Sequence, residues 1–132
     1  MSKKSKGINA ERDLIHKYWE KKWGCVRVAG SGAIGYPCPD IVAGNKLRKV
    51  AIECKITKKE KKYFPKSEIK QLKNFCHYYG SEPWIAVKFF RSQWYFLNLE
   101  DLRETKKSFV ISKEQAKLKG LSLDEFLGED FN

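Results

Sequence analysis

The stretch Cys38–Lys55, CPDIVAGNKLRKVAIECK, reads as a β-hairpin: a strand near 39–44, a turn within GNKLR, and a longer strand near 49–57. Strand side chains alternate between faces. Val50, Ile52, Cys54 and Ile56 therefore form one apolar face, while Ala51, Glu53 and Lys55 form the other. A turn over 45–48 pairs positions whose numbers sum to 93, which sets Asp40 opposite Glu53. Opposed β-carbons lie about 4.5–5.5 Å apart, and like charges at that range repel. Lys55 sits on the same face as Glu53, about 6.6 Å further along the strand. An otherwise apolar hairpin that brings two carboxylates together has a use for positive charge between them.

The surrounding chain supplies elements to flank this hairpin. Residues 8–23, INAERDLIHKYWEKKW, have helical spacing with Ile8, Leu14, Ile15, Tyr18 and Trp19 as the apolar stripe and Gly24 as the stop. Glu11 lies three before Leu14 and four before Ile15, hence on the stripe, with Arg12, His16 and Glu20 on the opposite side. CVRVA (25–29) is a short strand, and GSGAIGYP (30–37) is a glycine-rich loop. KSEIKQLKNFCHYY (66–79) is a second amphipathic helix with Ile69, Leu72, Phe75, Cys76 and Tyr79 inward and Gly80 at its end. PWIAVKFF and QWYFLNL form a second hairpin turning at RSQ. In SLDEFL, Ser122 and Glu125 make a capping box. The order α, β, β, β, α, β, β with a short final helix indicates an α/β fold, a central mixed β-sheet flanked by helices. It forms one domain over 1–132, with a mobile basic arm at 1–7 and a C-terminal extension from about 103.

The 132 residues are 42% hydrophobic and 14% aromatic, which excludes a disordered chain. Twenty-seven Lys and Arg against 16 Asp and Glu leave a net charge of +11, which implies a polyanionic partner, nucleic acid first. Six lysines fall within the twelve residues KITKKEKKYFPK (55–66). Lys58, Lys59, Lys61, Lys62 and Lys66 would bring positive charge beside the hairpin's acids and grip a phosphate backbone without reading bases. No secretory signal and no apolar run of about 18–20 residues is present, so a cytoplasmic location without membrane contact is expected. Four cysteines without a C-x-x-C pair, and only two histidines, argue against structural zinc. GSGAIG lacks the Lys-Ser/Thr ending of a P-loop, so no nucleotide cofactor is expected. Oxygen donors alone, Glu11, Asp40 and Glu53, suit Mg²⁺, with Mn²⁺ as a substitute.

Pro39-Asp40 followed by Glu53-Cys54-Lys55 resembles the motif of the PD-(D/E)xK nucleases. KGINAERDLI, VRVAGSG, PDIVAGN, IECKITKK and IAVKF, in that order, narrow the resemblance to archaeal Holliday junction resolvases of the Hjc type, over about residues 6–99. The resemblance implies a restriction-endonuclease-like core, a homodimer, four-way junction DNA as substrate, and paired metal-dependent nicks during recombination and repair. It places Glu11, Asp40 and Glu53 on the metal-site positions and the Cys54 main-chain carbonyl as a further ligand. Lys55 falls on the catalytic lysine and Ser31 on a loop serine needed for cleavage. Arg12 and Arg27 fall on residues used near the DNA backbone. Two alternatives stay open on the residues: a nuclease of this superfamily acting on another branched or linear DNA, and a basic junction-binding module without catalysis. Most aromatics of the hairpin at 83–96 are expected in the core; because that hairpin is apolar on both faces, part of it, or of the second helix around Phe75 and Tyr79, is expected to supply a dimer surface.

Overall fold

The computed structural model describes residues 3–28, with side chains from Gly7 onward, and residues 35–128. Helix α1 (Lys3–Glu20) leads into β1 (Gly24–Arg27), β2 (Ile41–Gly44) and β3 (Lys49–Thr57). Strand β4 (Lys61–Pro65) and helix α2 (Lys66–Tyr79) follow, then β5 (Glu82–Phe89) and β6 (Trp94–Leu97). The chain closes with β7 (Arg103–Glu104), β8 (Ser108–Ser112), α3 (Lys113–Lys119) and α4 (Leu123–Leu127).

Five strands form a mixed sheet in the order β1-β2-β3-β5-β6. Neighbours are antiparallel except β3 and β5, which run parallel from Val50↔Glu82 to Thr57↔Phe89. A parallel pair needs a long crossover, and β4 with α2 provides it. Strands β4, β8 and β7 make a second, three-stranded sheet.

Period-2 alternation divides the core in two. Val50, Ile52 and Cys54 of β3 face the same way as Trp84, Ala86, Trp94 and Phe96, and pack with Leu14 and Tyr18 of α1 and Phe126 of α4. Ala51, Ile85, Val87, Tyr95 and Leu97 face the other way, against Ile69 and Leu72 of α2, Phe64 of β4 and Ile111 of β8. The second hairpin is apolar on both faces because both faces are covered within the chain. Trp84, Phe89, Trp94, Tyr95 and Phe96 are buried, as expected of most of this set, which leaves little of the hairpin as a surface for another copy. Phe90, past the end of β5, is the exposed member of that set.

Other sequence expectations change at the edges of elements. Helix α1 starts at Lys3, inside the stretch read as an arm, and ends at Glu20 before the expected stop. Lys22, in the left-handed region at φ 66°, turns the chain, and Gly24 opens β1 instead. Trp19 is 57% exposed, and its indole N–H donates to the Cys25 carbonyl at 2.9 Å. The bounds of α2 match the expected 66–79, and Gly80 caps it at φ 82°, where a side chain would be strained. Tyr79, expected inward, is exposed. The Ser122–Glu125 capping box of α4 is present.

Arg48, in the first hairpin's turn, ties the start of β5 to α4. Its guanidinium pairs bidentately with Glu82 at 2.9 and 3.0 Å and donates to the Phe126 carbonyl at 3.0 Å. It also lies 5.1–5.9 Å from the ring centres of Phe126, Trp23 and Trp84, a range in which cation–π attraction operates.

Candidate metal centre

The register of β2 on β3 is the expected one, with Ile41↔Ile52 through Gly44↔Lys49. The ladder stops one pair short of Asp40 and Glu53. The Asp40 main-chain N–H donates to the Ile52 carbonyl at 3.1 Å, so Asp40 and Ile41 share one partner, as at a β-bulge. Asp40 therefore does not face Glu53 squarely across the hairpin, as simple counting implies. Its carboxylate folds over the end of β2 and accepts the Cys54 N–H at 2.8 Å.

This turn carries Asp40 toward α1. Among the described residues, ligand atoms of Glu11, Asp40 and the Cys54 thiol all lie within 4.8 Å of one another. Glu11 reaches this point because its position on the helix faces the sheet, like Leu14. Arg27, the last residue of β1, donates to Glu11 through Nε at 3.0 Å. Burial, and then the Asp40 charge, raise the Glu11 pKa against the opposing pull of Arg27. Asp40 is raised as well, by burial, against the Cys54 N–H and Lys55.

Glu53 and Lys55 project to the opposite face of β3, where α2 brings up a residue that the sequence reading passed over. The Lys55 ammonium lies 2.9 Å from the Glu68 carboxylate. Burial, a hydrogen bond with Glu68 and the Asp40 charge push the Glu53 carboxyl up to about 9. Burial would raise Glu68 too, but hydrogen bonds from Glu53 and Lys55 outweigh it and its pKa falls. Glu53 is thus the protonated partner, donating to an ionised Glu68. Burial lowers the Lys55 pKa, but the hydrogen bond and charge of Glu68 outweigh it, and the net shift is upward. A signal for Glu68 was present: it lies four before Leu72 and one before Ile69, on the buried stripe, as Glu11 does on α1.

A cleft of about 520 Å³ opens over these acids, lined by Tyr36, Cys38, Asp40, Glu53, Glu68 and Gln71 among others. The remaining expected site residues are more dispersed. Arg12 is exposed on the outer side of α1, and Lys58, Lys59 and Lys61 are exposed after β3. Lys62 is half-buried, and its charge helps to lower the Glu68 pKa. Lys66 pairs with Glu104 at 3.0 Å. Ser31 lies outside the described residues.

The donor set fits a hard divalent cation. Glu11, Asp40 and Glu53 all have raised carboxyl pKa values, so negative charge is disfavoured until a cation arrives. Burial raises the Cys54 thiol as well, and a hard cation prefers the carboxylate oxygens to this soft sulfur.

A pH dependence follows from Glu53. The folded protein keeps this proton up to about pH 9, whereas the unfolded chain loses it near 4.5. Stability of the metal-free protein should therefore fall as pH rises between these values, by at most about 1.4 kcal/mol per pH unit from this group. Thermal melts in a chelator from pH 5 to 9 check this, and Glu53→Gln should flatten the decline. An unchanged slope in that variant would place the lost stability elsewhere.

The model of the archaeal Holliday junction resolvase (Hjc) family matches residues 2–132. The chain belongs to that family. The curated crossover junction endodeoxyribonuclease Hjc of Archaeoglobus fulgidus is 41% identical over 128 residues, 97% of this chain and 93% of the relative. The Hjc of Methanocaldococcus jannaschii is 30% identical and covers 90% of this chain and 83% of its own length. The solved structure of A. fulgidus Hjc, a Holliday junction resolvase, aligns with a TM-score of 0.85 at 38% identity, over 92% of this chain and 100% of that one. The mixed five-stranded sheet with flanking helices is accordingly the restriction-endonuclease-like fold of an archaeal Holliday junction resolvase.

Proposed function

We propose that this chain is a structure-selective endonuclease that binds four-way DNA junctions and resolves them by paired, metal-dependent nicks in recombination and repair. The observation that carries the reading is Asp40, which lies within 4.8 Å of Glu11 by their ligand atoms and lines a cleft with Glu53, in a strongly basic protein. Glu11, Asp40 and Glu53 would hold Mg²⁺, or Mn²⁺ in its place. The Cys54 carbonyl, which points to the same side of the strand as the N–H that Asp40 accepts, would add a further oxygen. Bound there, the ion supplies a Lewis acid to the phosphodiester.

The protein's own groups do the rest. Lys55 presents an ammonium whose raised pKa keeps it charged, suited to the negative charge that grows on phosphoryl oxygens. Ser31 would assist from the neighbouring loop. Arg12, Lys58, Lys59, Lys61 and Lys62 would take the DNA backbone. Arg27 and Lys66 would join them once phosphate displaces Glu11 and Glu104 as their partners.

Backbone gripping makes recognition depend on shape and on salt. Six to ten phosphate contacts would cost about 10³–10⁵-fold in junction affinity between 50 and 200 mM salt. Anisotropy titrations of a labelled junction measure this. Adding excess linear duplex separates the readings, because a resolvase keeps its junction bound and cut. Loss of the junction to linear competitor would favour a nuclease for other DNA. No cutting with either Mg²⁺ or Mn²⁺ would favour a binding module.

Two matched nicks in a two-fold symmetric junction call for two sites related by the same symmetry, which a homodimer supplies. With the aromatic hairpin absorbed in the core, the end of α2 supports this reading best. Tyr78 is 85% exposed there, beside an exposed Tyr79 and a partly buried Phe75. Sedimentation without DNA should give twice the mass of one chain, and Tyr78→Glu with Tyr79→Glu should return it to one.

A further inference from the structure

The proposed reaction uses Glu11, Asp40, Glu53 and Lys55 but leaves Glu68 without a part. Glu68 comes from a separate element, the first turn of α2, and lines the same cleft. Its carboxylate contacts both neighbours of Cys54 on β3: Lys55 across 2.9 Å and Glu53 through a hydrogen bond. A lysine ammonium on a four-carbon stem has many rotamers and loses about 2 kcal/mol of rotamer entropy when held in one. Glu68 favours one of them, because a residue fixed at the start of a helix packed through Ile69 and Leu72 offers its acceptor at a set point, 2.9 Å from the ammonium.

We propose that Glu68 is a positioning residue that holds the Lys55 ammonium beside Glu53. The proposal rests on the reading of Lys55 as part of a nuclease site. Glu68 touches neither the phosphodiester nor the attacking water; it acts through Lys55, as outer partners commonly orient the groups that do the chemistry. A glutamine at this position would keep an acceptor for Lys55 and offer a donor to Glu53, so the amide should substitute where alanine cannot.

The test is a double-mutant cycle in single-turnover cleavage of a labelled four-way junction, with enzyme saturating and Mg²⁺ present. Glu68→Ala should slow cutting about 10–100-fold, with junction affinity within about twofold of the parent. Glu68→Gln should recover most of the rate. In a Lys55→Ala background, Glu68→Ala should cost almost nothing more, because the group it positions is gone. Thermal melts establish that each variant is folded. Wild-type cutting by Glu68→Ala, or multiplicative losses in the double variant, overturns the positioning role while leaving the nuclease site standing. Wild-type cutting by Lys55→Ala overturns both.

Discussion

Asp40→Asn should abolish junction cutting while leaving the fold and junction binding in place. The asparagine keeps a side-chain oxygen to accept the Cys54 N–H, so the local turn over the end of β2 survives. It also removes a carboxyl whose ionisation is opposed by burial, so no stability should be lost. What disappears is the one acid that neighbours both Glu11 on one side of the sheet and Glu53 on the other. Losing a hard anionic ligand at that point should forfeit several kcal/mol of metal-derived stabilisation, about 10³-fold or more in rate. Single-turnover cutting, with anisotropy binding in parallel, checks both halves. A variant that cuts at the parental rate would sink the metal-centre assignment, and one that no longer binds would recast Asp40 as a binding residue.

The largest effect on stability is expected far from the cleft, at Phe126. Helix α4 has five described residues, too few to hold a helix by itself. It is held by Phe126, which is 1% exposed. Its ring stacks on Phe96 at 4.5 Å, meets Trp84 edge-on at 4.6 Å and has Arg48 5.1 Å above it. Phe126→Ala should cost about 3–5 kcal/mol through lost burial and an unfilled cavity. That corresponds to a fall of about 10 °C or more in Tm. A melt within about 2 °C of the parent would mean that the C-terminal segment contributes little to this core. Cutting rates measured well below the lowered Tm should stay near the parental value, because no cleft residue lies in this aromatic cluster.

Much of this architecture was legible because it depends on local periodicity. The first hairpin, its register and the bounds of α2 follow from alternation, turn length and a terminal glycine. Strands β4 and β7 and helix α3 carry no such signal, for the complementary reason. Strand β4 buries one large apolar residue, Phe64, amid lysines. Strand β7 has two residues, and α3 buries only Ala116. Segments with so few core contacts have no period to detect, and they form because the larger sheet and α2 are already there to pack against. Arg48 carries no local signal of its role, because its partners Glu82 and Phe126 lie 34 and 78 positions away.

By itself the sequence determined the mixed sheet, the pairing of β2 with β3, and the presence of acids on apolar faces, since each is set by spacing along one or two neighbouring strands or turns of helix. Only the tertiary structure decided how those acids are grouped. The Asp40 bulge sends that carboxylate to Glu11 instead of straight across to Glu53, and α2 then supplies Glu68 to Glu53 and Lys55. Contacts of that kind depend on where a helix docks and where a ladder breaks. Both are settled by packing between residues distant in the chain, for which periodicity along one segment carries no information.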